Sequence, residues 1–139
     1  MSSGNILLVD DDVPLARGLA DFLRRRGYHV IMASGGREAM KLLERHPVSL
    51  VVSDIFMPDR DGLELLTHLR RTAPAIPVLA MSGSWCARVE GMLEMAAALG
   101  AARTLPKPFA PLELLLLVED LIGPPAGQPR DDPSEASAG

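Results

Sequence analysis

The sequence predicts an α/β protein with a doubly wound, five-stranded parallel sheet. Short apolar runs of strand length alternate along the chain with longer segments whose apolar residues recur at helical spacing. Each parallel pairing needs a crossover connection, so this alternation indicates a parallel sheet with helices on both faces. The runs LLV, VV and VLAM are continuously apolar. Such runs are typical of strands that are buried on both faces.

The elements follow in order from these patterns. Proline and glycine support the helix boundaries, with Pro14 in the first turn of helix 1, Gly27 at its end, Gly100 at the end of helix 4 and Pro111 at the start of helix 5. Helices 1 to 4 are marked by Leu15, Leu19, Phe22 and Leu23, by Ala39, Leu42 and Leu43, by Leu65, Leu66 and Leu69, and by Val89, Met92, Leu93 and Ala96. The strands are predicted at Ile6 to Val9, Val30 to Ala33, Val48 to Val52, Ile76 to Met81 and Ala102 to Leu105.

Length and composition predict a single domain. The chain has 139 residues, of which 47% are hydrophobic and 23% are charged, a normal globular balance. After Ile122 no apolar residue is larger than alanine or proline, so this segment cannot contribute to a core. We expect an N-terminal tail at 1–4, one domain at 5–122 and a disordered C-terminal tail at 123–139. Met1 and this tail favour a complete single-domain protein.

Composition also argues against several classes of function. The formal net charge of -4 gives no electrostatic reason to expect direct nucleic-acid binding, since nucleic-acid-binding domains normally carry a basic patch. The single cysteine, Cys86, cannot form an internal disulfide, and the three histidines form no recognisable metal cluster with it. The N-terminus reaches acidic residues after a very short apolar run, so we expect neither a signal peptide nor a membrane span there. We therefore expect a cytoplasmic protein with no membrane contact.

Polar residues follow the strands where a ligand site is expected. Open parallel sheets bind ligands beyond the carboxyl ends of their strands. The residues at that edge are Asp10, Asp11 and Asp12 after strand 1, Asp54 after strand 3, Ser82 after strand 4 and Lys107 after strand 5. Carboxylates gathered together repel one another, so the cluster requires a cation. Oxygen ligands with few carboxylates favour Mg²⁺.

Each of these residues also has a simpler interpretation. An aspartate at a strand end is often only a helix cap or turn residue, and for Asp12, close before Pro14, we prefer that role. Ser82 alone would be a loop serine, and Lys107 alone a solvated charge. The joint arrangement favours a functional site.

Four segments together resemble the signature segments of CheY-like receiver domains of two-component response regulators. They are LLVDDD, SLVVSDIFMPDRDGLELL, PVLAMSG and LPKPF, in the family's order and with similar spacing. The resemblance covers about Asn5 to Ile122. It implies a flavodoxin-like (βα)5 fold and a phosphorelay protein that assists only its own phosphorylation and dephosphorylation and is otherwise no enzyme.

The resemblance also implies roles for individual residues. Asp54 matches the phosphoacceptor, Asp10 and Asp11 the acidic pair, Ser82 the switch hydroxyl and Lys107 the family's lysine. Mg²⁺ would be held by Asp11, Asp54 and the backbone carbonyl of Phe56, with Asp10 binding directly or through water. The Lys107-Pro108 bond would be cis. The implied partners are a histidine kinase or a histidine phosphotransfer protein, and a downstream protein target.

Three departures from the family pattern concern the conformational switch rather than the phosphoryl transfer. Thr104 replaces the usual aromatic residue three positions before the lysine, which puts the family's ring-rotation switch in doubt. Gly83 follows the serine where alanine is more usual, and the segment from Ser82 to Lys107 is a few residues longer than is typical.

Two other functions stay open at this point. A phosphohydrolase of the haloacid-dehalogenase type would use Asp10 and Asp12 as its DxD motif, although the chain has no cap domain. A degenerate receiver would bind partners without phosphorylation, but the intact acidic set argues against it. The sequence names neither the kinase nor the target.

The last helix carries more leucine than one face can bury. Four consecutive leucines, from Leu114 to Leu117, encircle a helix because successive residues are about 100° apart. We expect Leu114, Val118, Leu121 and Ile122 to be buried, and Leu112 and Leu116 to point outward. These two are either ordinary exposed leucines or a contact surface for a target or a homodimer.

Overall fold

The fold alternates five strands and five helices, as the sequence predicts. The computed structural model describes residues 5–55, 61–82 and 89–125. In chain order the elements are β1 Asn5–Val9, α1 Val13–Arg25, β2 His29–Ala33, α2 Gly36–Arg45, β3 Leu50–Asp54, α3 Asp61–Thr72, β4 Val78–Ser82, α4 Val89–Ala98, β5 Arg103–Pro106 and α5 Pro111–Ile122.

The five strands form one parallel sheet in the order β2-β1-β3-β4-β5. The winding direction reverses at β1, because β2 lies on one side of it and β3 on the other. The register places Val9 beside Ser53, so the next residues, Asp10 and Asp54, are neighbours at the carboxyl edge of the sheet.

Both faces of the sheet are buried, which confirms the interpretation of the continuous apolar runs. Side chains of a strand alternate between the two faces. In β1, Ile6 and Leu8 pack with α1 and α5, whereas Leu7 and Val9 pack with α2 and α3. The two clusters are separate hydrophobic cores on opposite sides of one sheet, and each extends along the central strands.

Three strands are shifted toward the C-terminus relative to the predicted bounds. β3 runs to Asp54 and β4 to Ser82, although both end residues are polar. The backbone pairing explains this difference, because Ile55 N still donates to Met81 O at 2.9 Å beyond the last apolar residue of β3. Hydrophobicity marks the buried part of a strand, but the hydrogen-bond ladder sets its length.

The predicted helix boundaries agree with the backbone geometry. Gly27 and Gly100 follow α1 and α4 with φ values of 105° and 110°, a region that favours glycine. Asp12 is the N-cap of α1, and its side chain accepts a hydrogen bond from Leu15 N at 3.2 Å. The Lys107-Pro108 peptide is cis, as the resemblance implies.

The end of α5 is joined to the segment between α1 and β2. Tyr28 is buried in the core, and its hydroxyl donates to Gly123 O at 2.7 Å. Of the segment predicted to form a tail, 123–139, residues 126–139 lie outside the described part of the chain. Among the described helices, none has the length and apolar character needed to cross a bilayer.

Candidate functional site

Three carboxylates meet at the carboxyl edge of the sheet. Asp10 and Asp11 follow β1, Asp54 ends β3, and one carboxylate oxygen from each lies within 4.8 Å of the others. Asp10 and Asp54 are buried, whereas Asp11 is exposed. The cluster therefore has a desolvated floor and one side that is open to solvent. The adjacency of β1 and β3 brings together residues that are far apart in sequence.

Lys107 joins the two buried carboxylates. Its Nζ lies 2.7 Å from Asp10 Oδ2 and 3.1 Å from Asp54 Oδ2. Burial disfavours the ammonium charge, but the hydrogen bond to Asp10 and the negative charges of Asp54 and Asp10 outweigh it and raise the pKa of Lys107 above its ordinary value. The lysine is thus a fixed positive charge at the floor of the site.

Backbone contacts hold Asp10 and Lys107 in place. Asp10 Oδ1 accepts a hydrogen bond from Asp12 N at 2.9 Å, and Asp10 N donates to Ala33 O at 3.1 Å. Lys107 N donates to Ser82 O at 2.6 Å, which fixes the segment after β5 against the end of β4. Backbone hydrogen bonds therefore constrain both residues that carry these charged side chains.

Ser82 is fully buried at the end of β4. Its Oγ has no hydrogen-bond partner among the residues that the structure describes. A buried hydroxyl without a partner costs free energy, and most such groups in proteins are paired. This hydroxyl is consequently available for a group that enters the site.

Gly62 contributes to the site in a way that the sequence did not show. A Cβ built on Gly62 would overlap the backbone of Asp54 and Ile55. Only glycine lets the first turn of α3 approach the end of β3 so closely, and this contact fixes the backbone that carries Asp54.

The other predicted residues divide into two groups. Asp12 caps α1 and does not belong to the group of three carboxylates, in agreement with its predicted capping role. Phe56, whose carbonyl was predicted as a metal ligand, and Gly83 lie outside the described residues, whereas Thr104 is half-buried in β5.

The donor set suits a divalent cation. The cluster contains three carboxylates, and Lys107 pairs with two of them, so the group carries more negative than positive charge. Mg²⁺ prefers a few carboxylate oxygens and retains several waters, which fits two buried carboxylates with an exposed third. The cluster could hold a metal ion.

Comparison with known proteins identifies the family. A model of the response regulator receiver domain matches residues 6–119. The chain therefore belongs to the response regulator receiver domain family, the CheY-like receivers of two-component systems.

Individual relatives agree with this assignment. The chain is 40% identical over 119 residues to Response regulator MprA of Mycolicibacterium vanbaalenii, covering 84% of this chain and 49% of MprA. It is 36% identical over 124 residues to the probable transcriptional regulator ycf29 of Porphyra purpurea, covering 86% and 57% respectively. The chain thus spans about half the length of these curated relatives. The similar proteins are response regulators rather than classical enzymes.

Solved structures match over nearly their whole length. The receiver domain of NtrX from Brucella abortus has a TM-score of 0.77 and 30% identity, covering 84% of this chain and 97% of that domain. The receiver domain of the Francisella response regulator 1452 has a TM-score of 0.76 and 28% identity, covering 86% and 96% respectively. These likenesses confirm the predicted flavodoxin-like receiver fold.

Proposed function

We propose that this chain receives a phosphoryl group on Asp54 from a histidine kinase or a histidine phosphotransfer protein. The observation that carries the proposal is the position of Lys107, whose ammonium contacts both Asp10 and Asp54 beside the third carboxylate, Asp11. An aspartate with a lysine and two further acidic groups can serve as a nucleophile toward phosphorus.

The reaction forms one bond and breaks another. A carboxylate oxygen of Asp54 attacks the phosphorus, the bond between phosphorus and the donor's nitrogen or oxygen breaks, and the donor leaves with the bonding electrons. Lys107, already within 3.1 Å of Asp54, offers its ammonium to the negative charge on the transferred group. The product is an acyl phosphate on Asp54.

Asp10, Asp11 and Asp54 would hold Mg²⁺, together with the carbonyl of Phe56. When bound, Mg²⁺ supplies charge neutralisation for the phosphoryl oxygens. The protein's own contribution is to keep the three carboxylates together at a constrained edge of the sheet, so that little reorganisation is needed when the cation and the phosphoryl group arrive.

Ser82 is the residue that responds to phosphorylation in this proposal. Its buried Oγ lacks a partner among the described residues and can donate to a phosphoryl oxygen on Asp54. Because Lys107 N donates a hydrogen bond to Ser82 O, a shift of Ser82 would also move the segment that leads into α5. A change at the site could thus reach the surface that carries Leu112 and Leu116.

A mass measurement tests the proposal. The full chain is incubated with acetyl phosphate and Mg²⁺, and the intact mass is compared between wild type, Asp54→Asn and the control Asp12→Asn. Wild type and Asp12→Asn should gain one phosphoryl group, whereas Asp54→Asn should gain none, because an amide cannot act as the attacking oxyanion.

The alternatives give different results. Undiminished labelling of Asp54→Asn would place the acceptor elsewhere. Absence of labelling in the wild type would favour a receiver that binds partners without phosphorylation. Continuous hydrolysis of a small phosphoester that is lost in Asp10→Asn would favour the phosphohydrolase.

A further inference from the structure

A small cavity lies beside the acidic cluster, on the side of β2. Its volume is about 210 Å³, below the roughly 300 to 1,000 Å³ that is usual for small-molecule sites. This volume suits one side chain of another molecule better than a whole ligand. The lining residues are Asp10, Val13, Ala16, Met32, Ala33, Ser34 and Glu38; we call this cavity the α1–α2 cleft.

Four of the residues that line the α1–α2 cleft are apolar: Val13, Ala16, Met32 and Ala33. Val13, in the first turn of α1, is 42% exposed although most large apolar side chains of this fold are buried. Met32 in β2 is only partly buried against the core and also lines the cleft. The cleft thus keeps apolar surface in contact with water directly beside a group of carboxylates, an arrangement that costs free energy unless something covers it.

The rim of the α1–α2 cleft is acidic. Glu38 lines the cleft, and its Oε1 accepts hydrogen bonds from Ser34 N at 2.8 Å and Ser34 Oγ at 3.1 Å, which restrain the carboxylate. Asp10 also lines the cleft and is followed in sequence by Asp11 and Asp12. Lys107 pairs with Asp10 and Asp54, whereas Glu38 forms no ion pair among the described residues.

We propose that the α1–α2 cleft receives an arginine side chain of the protein that donates the phosphoryl group. Apolar walls fit the aliphatic stem of such a residue, and the fixed carboxylate of Glu38 fits its guanidinium. Asp10 belongs both to this cleft and to the carboxylate cluster around Asp54, so the arginine would align the donor next to the acceptor. This inference rests on the proposed phosphotransfer, because only then does a donor protein approach this edge.

Butylguanidinium serves as a probe of the α1–α2 cleft. The full chain, with excess Mg²⁺ to neutralise the carboxylate cluster, is titrated while the methyl resonances of Val13 and Met32 are followed by NMR. We expect saturable shifts of these resonances with butylguanidinium. Butylurea, which has a similar shape but no charge, should give no saturable shift.

Matched variants locate the interaction. Glu38→Gln keeps an acceptor for Ser34 but removes the charge, and should weaken binding by up to about fivefold, the upper end of the effect of an exposed ion pair. Val13→Ser replaces an exposed apolar residue that lines the cleft and should also weaken binding of butylguanidinium. Glu44→Gln, on the exposed face of α2, should leave it unchanged.

Three results would overturn the inference: no saturable shift, equal shifts with butylurea, or equal affinity in wild type and Glu38→Gln. Labelling of Asp54 by acetyl phosphate is measured on the same samples. Retained labelling shows that each variant is folded and that the phosphotransfer proposal stands even if the cleft proposal fails. Lost labelling in the wild type would instead reject the phosphotransfer, whatever the probe does.

Discussion

Lys107 Nζ lies 2.7 Å from Asp10 Oδ2, although the two residues are 97 positions apart in the chain. The same ammonium lies 3.1 Å from Asp54 Oδ2. The single ammonium group therefore forms ion pairs with both buried carboxylates. Asp11, which lies beside them, has no ion pair among the described residues. The site is short of positive charge, and this imbalance determines how it should respond to a cation.

Mg²⁺ should stabilise the fold through Asp11. For a ligand that binds only the folded state, a concentration of 100 times the Kd adds about 2.7 kcal/mol to the free energy of unfolding. Asp11→Asn should lose most of this increment, but without Mg²⁺ it should be at least as stable as wild type because one like charge is gone. Urea denaturation with and without Mg²⁺ measures both. Asp12→Asn, a conservative change of the α1 cap, should retain the increment; a full increment in Asp11→Asn would exclude this residue as a ligand.

Ser82 and Ser53 should differ when each is replaced by alanine. Ser53 Oγ donates to Asp54 O at 3.1 Å, whereas Ser82 Oγ has no partner among the described residues. Ser53→Ala should therefore lose about 1 kcal/mol of unfolding free energy, and Ser82→Ala close to none. Denaturation experiments on the two variants provide the comparison.

Phosphorylation separates a response role for Ser82 from a purely structural one. Ser82→Ala should still be labelled on Asp54 by acetyl phosphate, but its NMR spectrum should change less than that of wild type on labelling. A spectral change of the same extent in both proteins would contradict a role for this hydroxyl in the response.

The stability of the protein should depend on pH through Tyr28. Burial of this residue, with a smaller effect from the charge of Glu119, raises the pKa of Tyr28 from 10.0 to about 12. The folded protein thus retains the phenol proton to higher pH than the unfolded chain does. This contribution is fully present below pH 10 and is lost as the pH rises from 10 to about 12.

Tyr28→Phe is the matched control, because it keeps the ring and removes the ionising hydroxyl. Unfolding free energies measured across this pH range should fall more steeply for wild type than for the variant. Lys107 titrates in both proteins, so its contribution to the unfolding free energy cancels when wild type and variant are compared. Parallel curves would show that the phenol of Tyr28 ionises equally easily in the folded and unfolded states.

The outer face of α5 should take part in association. Leu112 and Leu116 are 54% and 56% exposed, as predicted. Of the four residues predicted to be buried, Leu114 and Val118 are fully buried, whereas Leu121 and Ile122 are only partly buried. Fully burying one such side chain stabilises a complex by roughly 1.5 to 3 kcal/mol. Leu112→Ser/Leu116→Ser should therefore weaken self-association or target binding while leaving folding and Asp54 labelling intact.

Sedimentation velocity and pull-down with and without acetyl phosphate measure this association. Leu114→Ala is the contrasting variant, since a truncated core leucine should cost about 2 to 5 kcal/mol of unfolding free energy. If association is unchanged in every condition, Leu112 and Leu116 are ordinary exposed leucines.

The sequence by itself determined the order and type of the elements. Continuous apolar runs predicted the doubly buried strands because both faces of a parallel sheet exclude water, and helical spacing predicted the segments that cover them. It also placed Asp10, Asp11, Asp54, Ser82 and Lys107 at one edge of the sheet, because parallel strands direct their carboxyl ends the same way. This information lies in the local periodicity of apolar residues, which can be recognised in a single sequence.

Only the tertiary structure decided which of these groups touch. The strand order puts Asp10 next to Asp54, and the path of the chain after β5 brings Lys107 to both. It also showed that Gly62 permits a close backbone approach, and that Glu38 and Val13 border one cavity. Such contacts depend on how crossovers and loops pack in space. Residues far apart in sequence therefore meet at distances that no local pattern encodes.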